Sequence, residues 1–223
     1  MKWLISYFRS SIGKKNIMGV TGLLLCGFLT THLIGNMLIL ISAQAFNEYG
    51  HALVSNPLII PAEIGLALLF LSHIGMAIKL ILENRSARPQ KYVMKVNTGR
   101  GSTFASSTMP YTGFIILVFL ILHILHFRLG EVYYITYEGE QIRDLHRLIL
   151  ETFASPYYAA WYVFAQSALG LHLSHGFHSA FQSIGFNHPK HTPILKKVSL
   201  IFAITIAMGF NLIAIWCFLQ GGQ

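Results

Sequence analysis

The chain has 223 residues, of which 54% are hydrophobic and only 11% are charged, whereas a soluble domain carries roughly 25% charged residues. Its two cysteines, Cys26 and Cys217, lie in apolar tracts, which excludes a disulfide framework, a Cys-ligated iron–sulfur cluster and a structural zinc site. The composition therefore indicates a polytopic helical membrane protein, and the net charge of +8 reflects topology and anionic lipid rather than nucleic-acid binding.

Five apolar tracts predict membrane-spanning helices, because a bilayer core requires about 20 consecutive apolar residues for each helix. The predicted spans are residues 17–41, 60–83, 109–129, 157–183 and 194–219. Prolines stand at or just before the starts of spans two to five, where a first helical turn tolerates them. The predicted fold class is therefore an all-α polytopic membrane protein with five transmembrane helices, and residues 1–223 are expected to form a single membrane domain.

The basic segment before span one does not resemble the start of a cleavable signal peptide. The apolar run that follows Lys15 is too long for the h-region of such a peptide, and it contains no convincing small-residue cleavage site. We therefore expect span one to remain in the mature protein.

Basic residues are concentrated on one side of the predicted membrane. Four precede span one, five lie between residues 84 and 108, and three lie between residues 184 and 197. The opposite side has three arginines and six acidic residues outside the spans. By the positive-inside rule, the N-terminus is predicted to be cytoplasmic and the C-terminus to lie outside.

The third connection, residues 130–155, is predicted to contain a short amphipathic helix. Its apolar residues fall on one helical face: Leu145, Leu148, Ile149 and Phe153. We expect this helix to lie in the outer interface. No connection is long enough for a nucleotide-binding or flavin domain, and no glycine-rich phosphate loop occurs. Any soluble chemistry must therefore belong to a partner.

Histidines are unusually frequent in the apolar tracts. Six of the eleven lie deep within the predicted spans: His32, His73, His123, His126, His172 and His175. An ionisable side chain at this depth is costly and is a functional candidate by default. An interhelical hydrogen bond explains a single membrane histidine well. It explains less well a set in which spans one to four each carry a deep histidine and span five carries none.

Depth within the spans pairs four of these histidines. At 1.5 Å per helical residue, His32 and His123 share one level near the outer face, and His73 and His172 share another near the inner face. Short loops make spans one to four an antiparallel four-helix bundle, in whose interior ligands from facing helices converge. Two imidazoles on opposite sides of one iron form the ligand set of a six-coordinate haem, which favours electron transfer. Zinc or copper would require three or four ligands at one level, so the pattern predicts two b-type haems.

Other polar side chains in the predicted bundle are secondary candidates. His126 and His175 each follow a proposed ligand by one helical turn, and His178 lies near the inner end of span four. These three either meet haem propionates or bound water, or have a structural role. Lys79 and Arg128 are candidates for binding propionates, unless their side chains extend to the nearest membrane interface.

Glu63 is an acidic residue drawn into an apolar tract at the outer start of span two. A carboxyl group in that position can exchange protons with a quinone as the quinone is reduced or oxidised. The simpler interpretation is a first-turn glutamate that is stabilised by the helix dipole.

Five segments carry a resemblance to a known family. They are THLIGN around His32, AFNEYGHAL from residue 45, PAEIGLALLFLSHIGMAIK around His73, YTGFIILVFLILH ending at His123, and LHLSHGFHSAFQSIG from residue 171. Together they resemble the di-haem cytochrome b membrane anchor of bacterial succinate:menaquinone oxidoreductases (succinate dehydrogenases) and quinol:fumarate reductases. Each segment alone is weakly specific, but the resemblance covers nearly the whole chain and the segments lie on the expected spans.

The resemblance implies four haem ligands, which map onto His32, His73, His123 and His172. It also implies a location in the bacterial inner membrane and menaquinone as the substrate. The quinone would bind near the outer haem, with Glu63 as its neighbour.

The resemblance further implies a flavoprotein subunit with covalent FAD and an iron–sulfur subunit on the cytoplasmic face. The basic loops 84–108 and 184–197 are the expected docking surface, and succinate or fumarate would react in the flavoprotein rather than in this chain. One departure concerns proton transfer: some fumarate reductases of the family carry a glutamate two residues before the fourth ligand, where this chain has Gly170. The glycine favours the succinate-oxidising branch without settling the direction.

Two other functions are compatible with the sequence. The haems could serve the membrane anchor of a hydrogenase or a formate dehydrogenase, with a different soluble partner. Alternatively, the histidines could line the path of a metal or proton transporter, which would contain no haem.

Overall fold

Helices dominate the computed structural model, which describes residues 2–87 and 104–221. The helices are α1 (Lys2–Arg9), α2 (Ser11–Met37), α3 (Ala43–Ser55), α4 (Ile59–Ser86), α5 (Phe104–His123), α6 (Leu145–Phe153), α7 (Pro156–Ser183) and α8 (Thr192–Gly221). A 3₁₀ turn at Leu38–Leu40 extends α2, and a π turn at Ile124–Arg128 extends α5. An antiparallel hairpin joins β1 (Tyr134–Tyr137) to β2 (Glu140–Arg143).

Four helical segments are long and apolar enough to cross a membrane: Ser11–Leu40, Ile59–Ser86, Phe104–Arg128 and Thr192–Gly221. This agrees with a helical protein of the membrane type. α7 is equally long, but histidines, serines and a glutamine make it more polar. Its membrane span and the side of the N-terminus therefore stay predictions. Most of the predicted docking loop, residues 88–103, lies outside the described residues.

Two helices begin earlier than hydropathy predicts. α2 begins at Ser11 rather than at residue 17, because the Ser10 side chain accepts a hydrogen bond from the Gly13 N–H at 3.0 Å and so caps the helix. α5 begins at Phe104 rather than at residue 109, and Pro110 lies within it. Side-chain capping thus decides the start of α2, which an apolar pattern alone does not locate.

α7 lies at the centre of the bundle, where it packs against α2, α5 and α8. The contact with α8 is extensive and includes the fully buried Ser199, which donates to the Ser174 carbonyl at 2.8 Å. On the opposite side, none of the described α4 residues is buried, and Thr112 is the buried residue of α5. α4 is held to α2 by Lys14, whose ammonium lies 2.5 and 2.6 Å from the two carboxylate oxygens of Glu83.

One end of the bundle carries a cap formed by residues 41–58 and 130–155, which include α3, the hairpin and α6. α6 confirms the predicted amphipathic helix, with its apolar face buried. Neither α3 nor the hairpin is predicted from the sequence, so the all-α class fits the bundle but omits two short strands of the cap. The hairpin turn has positive φ at Glu138 (49°) and Gly139 (87°), as a two-residue type I′ turn requires.

Asn47 connects the two parts of the cap. It is fully buried; its side-chain amide donates to Oδ1 of Asp144 at 2.8 Å, and its side-chain carbonyl accepts from the His146 N–H at 2.9 Å. Asp144 also caps α6 by accepting from the Arg147 N–H at 3.1 Å. A single buried side chain with both polar groups paired therefore joins α3 to the first turn of α6.

Replacing Asn47 with alanine should destabilise the protein by about 1–3 kcal/mol, because Asp144 and the His146 N–H lose a buried partner. Thermal unfolding of the purified protein in detergent measures the change. Gln44→Ala is the matched control on the exposed face of α3, where Gln44 bonds to Glu48, and it should be nearly neutral. Equal effects of the two substitutions would contradict the role of Asn47.

Candidate functional site

His32 of α2 and His123 of α5 meet inside the bundle near the cap. Their ring centroids lie 5.8 Å apart, with an angle of 83° between the ring planes. Each ring also stacks on a phenylalanine one turn earlier in its own helix: the centroids are 5.2 Å apart for Phe28 and His32, and 5.6 Å apart for Phe119 and His123. We call His32 and His123 the cap-side pair.

His73 of α4 and His172 of α7 lie farther from the cap, and we call them the second pair. Nδ1 of His73 lies 3.1 Å from the hydroxyl oxygen of Thr21 on α2, and Nδ1 of His172 lies 3.1 Å from that of Thr112 on α5. The same ring nitrogen of each histidine is thus engaged by a neighbouring helix, which leaves Nε2 for a further ligand.

The spacing of the cap-side pair suits a metal ion ligated from both sides. An imidazole nitrogen binds a transition metal at about 2 Å, and the centroid of the ring lies about 1 Å farther from the metal than that nitrogen. Two imidazole rings on opposite sides of one metal ion therefore have centroids about 6 Å apart. The observed separation of His32 and His123 is 5.8 Å. These residues therefore fit the axial positions of a bis-imidazole haem.

Gly22 allows the ring of His73 to approach α2 closely, because a Cβ there would lie 3.3 Å from Cε1 of His73. A Cβ at Gly113 would make an ordinary contact, 3.7 Å from Cε1 of His172. Within residues 2–87 and 104–221, no three His, Cys, Asp or Glu side chains are grouped so as to hold a metal ion. A haem iron with two axial histidines requires only two ligands from the protein.

α2 and α5 carry the same motif, which sequence reasoning missed. The motif begins with Thr-Gly, continues after any five residues with Phe-Leu, and ends after two more residues with His. It occurs as TGLLLCGFLTTH at residues 21–32 and as TGFIILVFLILH at residues 112–123. Corresponding residues make corresponding contacts: the threonine with the histidine of the next long helix, and the phenylalanine with the histidine of its own helix. The two halves of the bundle therefore present equivalent side chains, and the identical spacing is a signal that the sequence alone contains.

Two tyrosines of α7 distinguish His123 from His126. Tyr162 is 3% exposed and places its hydroxyl 3.4 Å from Nδ1 of His123. Tyr158 bonds to Nε2 of His126, and Nδ1 of His126 donates to the Leu122 carbonyl at 2.8 Å. Both nitrogens of His126 thus have protein partners, which supports His123 as the candidate ligand in α5.

Glu63 and Arg128 form an ion pair at the cap end of the bundle. Nε and Nη2 of Arg128 each lie 3.0 Å from a carboxylate oxygen of Glu63, and the two side chains are 53% and 41% exposed. Arg128 ends the π turn that directly follows His123, and π turns are frequent at functional sites. The sequence does not predict this pair, and the propionate role of Arg128 and the quinone role of Glu63 stay predictions.

The remaining candidates lie toward the other end of the bundle. Lys79 is exposed on α4. The rings of His175 and His178 meet edge to face at a centroid distance of 5.1 Å, and Nδ1 of His178 donates to the Ser174 carbonyl at 3.2 Å. His175 and His178 therefore form a separate imidazole cluster on α7.

Gly170 lies at a close contact between α7 and α8. A Cβ at this position would lie 2.8 Å from the Cβ of Ala207, closer than real Cβ atoms approach one another. A glutamate in place of Gly170, as in the fumarate reductases noted above, would require α8 to move. The glycine at position 170 thus has a packing reason in this chain.

Comparisons of the chain with protein-family models, with curated proteins and with solved structures gave no match. The functional assignment therefore rests on the geometry of the two histidine pairs and on their threonine, phenylalanine and tyrosine neighbours.

The Glu63–Arg128 pair should show energetic coupling. Glu63→Gln, Arg128→Gln and the double variant form a double-mutant cycle, and thermal unfolding in detergent should give a coupling of a few tenths to about 1 kcal/mol, because both side chains are half exposed. The i,i+4 pair of Arg147 and Glu151, 2.8 Å apart on α6, is the matched control and should couple more weakly. Additive effects at Glu63 and Arg128 would contradict the pairing.

Proposed function

We propose that this protein is the di-haem cytochrome b membrane anchor of a bacterial succinate dehydrogenase or fumarate reductase. It would transfer electrons between menaquinone and a cytoplasmic dehydrogenase made of a flavoprotein subunit and an iron–sulfur subunit. The observation that carries the proposal is the cap-side pair, in which imidazoles from two different helices lie 5.8 Å apart within a bundle of membrane type. The five family-like segments support the same function.

His32 and His123 would hold one b haem, and His73 and His172 would hold the other. A haem held in this way would supply electron transfer rather than oxygen chemistry. The chain would contribute the four imidazole nitrogens, hold their rings in place and surround them with apolar helices that exclude water.

The proposal includes α7 as a fifth membrane span and a cytoplasmic N-terminus. α7 lies between α2, α5 and α8, so much of its surface meets protein rather than lipid. Polar residues within membrane helices face the bundle interior in this way, which explains why a span can be less apolar than its neighbours. The basic segments would then lie in the cytoplasm, where the flavoprotein and iron–sulfur subunits would dock against loops 84–108 and 184–197.

Menaquinone is proposed to bind at the cap end, close to the cap-side pair. Glu63 and Arg128 place a carboxylate and a guanidinium there, both half exposed, and Glu63 would exchange protons with the quinone. Succinate or fumarate would react in the flavoprotein. The close packing at Gly170 leaves no space for a glutamate, which favours the succinate-oxidising branch without settling the direction.

Alanine at each proposed ligand should remove one haem and leave the other. The haem-to-protein ratio and the reduced-minus-oxidised visible spectrum should give two b haems in the purified wild type, and His32→Ala and His123→Ala should lose the same haem. His126→Ala is the matched control, because both nitrogens of His126 have protein partners, and it should keep two haems. Haem loss in His126→Ala but not in His123→Ala would contradict the ligand assignment, and a wild type without b-type bands would contradict the function.

The soluble partner separates this proposal from other cytochrome b anchors. Mild detergent extraction should co-purify a flavoprotein and an iron–sulfur protein, identified by mass spectrometry, and the complex should reduce a menaquinone analogue with succinate. A nickel or molybdenum enzyme in their place would assign the chain to a hydrogenase or a formate dehydrogenase.

A further inference from the structure

We propose that Thr21 and Thr112 are positioning residues for the second haem, which set the orientation and the tautomer of its two histidine ligands. Each hydroxyl accepts a hydrogen bond from Nδ1–H of the histidine on the next long helix, so Nε2 of His73 and of His172 is the unprotonated nitrogen. The inference rests on the proposed function, since it concerns the same haem site.

The direction of these hydrogen bonds follows from the contacts of the two hydroxyl groups. A threonine hydroxyl has one proton to donate. The Thr21 oxygen lies 2.8 Å from the Ile17 carbonyl, and the Thr112 oxygen lies 3.1 Å from the Thr108 carbonyl, contacts that are typical of a helical threonine. A carbonyl oxygen only accepts, so the hydroxyl proton belongs to this bond.

The imidazole must therefore be the donor at Nδ1. If the hydroxyl proton pointed at Nδ1 of His73 instead, the oxygens of Thr21 and Ile17 would face each other as two acceptors 2.8 Å apart. With Nδ1–H as donor, every polar group in the chain of contacts has a complementary partner. A neutral imidazole carries one proton, so the lone pair is at Nε2, the nitrogen that is free to bind a metal.

Burial makes both contacts specific. Thr21 is 8% exposed and Thr112 is 5% exposed, and a buried hydroxyl is costly unless it is hydrogen-bonded. Each ring also lies against the helix that carries its threonine: Cε1 of His73 is 3.3 Å from where a Cβ of Gly22 would stand, and Cε1 of His172 is 3.7 Å from where a Cβ of Gly113 would stand. Each buried hydroxyl is thus paired with a ring that packs beside it.

The arrangement occurs twice, once between α2 and α4 and once between α5 and α7. Both copies concern the second pair. In the cap-side pair, the hydroxyl nearest Nδ1 of His123 is that of Tyr162, at the longer distance of 3.4 Å. A partner that accepts from the remote N–H of a ligating histidine raises the basicity of that ligand and is one of the means by which a protein sets a haem potential. The second haem should therefore respond to the threonines, and the cap-side haem should not.

Redox titration of the purified protein, followed by the visible spectrum, tests the inference with Thr21→Val and Thr112→Val. In both variants, the reduction potential of the second haem, which is the one that His172→Ala removes, should rise. The affinity of the protein for this haem should fall by about 10-fold or more. The potential and the affinity of the cap-side haem should not change. Thr21→Ser and Thr112→Ser keep the hydroxyl and should restore both properties. Thr31→Val is the matched control on α2, because the exposed Thr31 donates within its own helix, to the Phe28 carbonyl at 3.0 Å.

Alanine variants of Thr21 and Thr112 replace the valine variants if the latter do not accumulate in the membrane. The positioning role would be overturned if the potential and affinity of the second haem did not change, or if the potential of the cap-side haem shifted instead. The proposed function would still hold in that case, provided that the wild type contains two haems. A wild type without haem would overturn both.

Discussion

An imidazole enclosed by apolar helices needs a partner for each of its two ring nitrogens, and the architecture of the bundle depends on how that need is met. Leaving either nitrogen unpaired in the interior costs free energy comparable to a lost hydrogen bond. In His126 both nitrogens are satisfied by the protein. In His73 and His172 a threonine engages Nδ1, and among the described residues Nε2 of these two histidines has no hydrogen bond. The proposed haem would give both Nε2 atoms a partner.

In both halves of the bundle, a threonine of the repeated motif contacts Nδ1 of a histidine on the next long helix. The surroundings of the two contacts differ. α7 is enclosed by three helices, whereas α4 packs mainly on α2 and has no buried residue among those described. The threonine and glycine contacts of His73 are therefore made on the less enclosed side of the bundle, and those of His172 on the more enclosed side. Lys14 and Glu83 add a second polar link between α2 and α4, beside the ring contact of Phe28 with Phe70.

Hydropathy predicts the long helices because each apolar tract is a local property of the chain. The same reasoning pairs His32 with His123 from helical rise alone, and the structure brings these two rings together. Of the cap, hydropathy predicts α6 but not the contacts that hold the cap together. α3 and α6 are joined through Asn47 and Asp144, which are 97 residues apart, and the Glu63–Arg128 pair spans 65 residues. The role of Tyr158 in satisfying His126 likewise depends on how α5 and α7 pack. The repeated motif is visible in the sequence. Its role could not be inferred without the contacts of Thr21 with His73 and of Thr112 with His172.

Low-temperature electron paramagnetic resonance of the oxidised, purified protein tests the central claim most directly, because it reports the spin state and the axial ligands of each haem iron. The account predicts two distinct low-spin ferric signals of bis-imidazole type per chain, which together account for all of the bound haem. High-spin signals from five-coordinate iron, a single low-spin centre per chain, or the absence of any haem signal would contradict it.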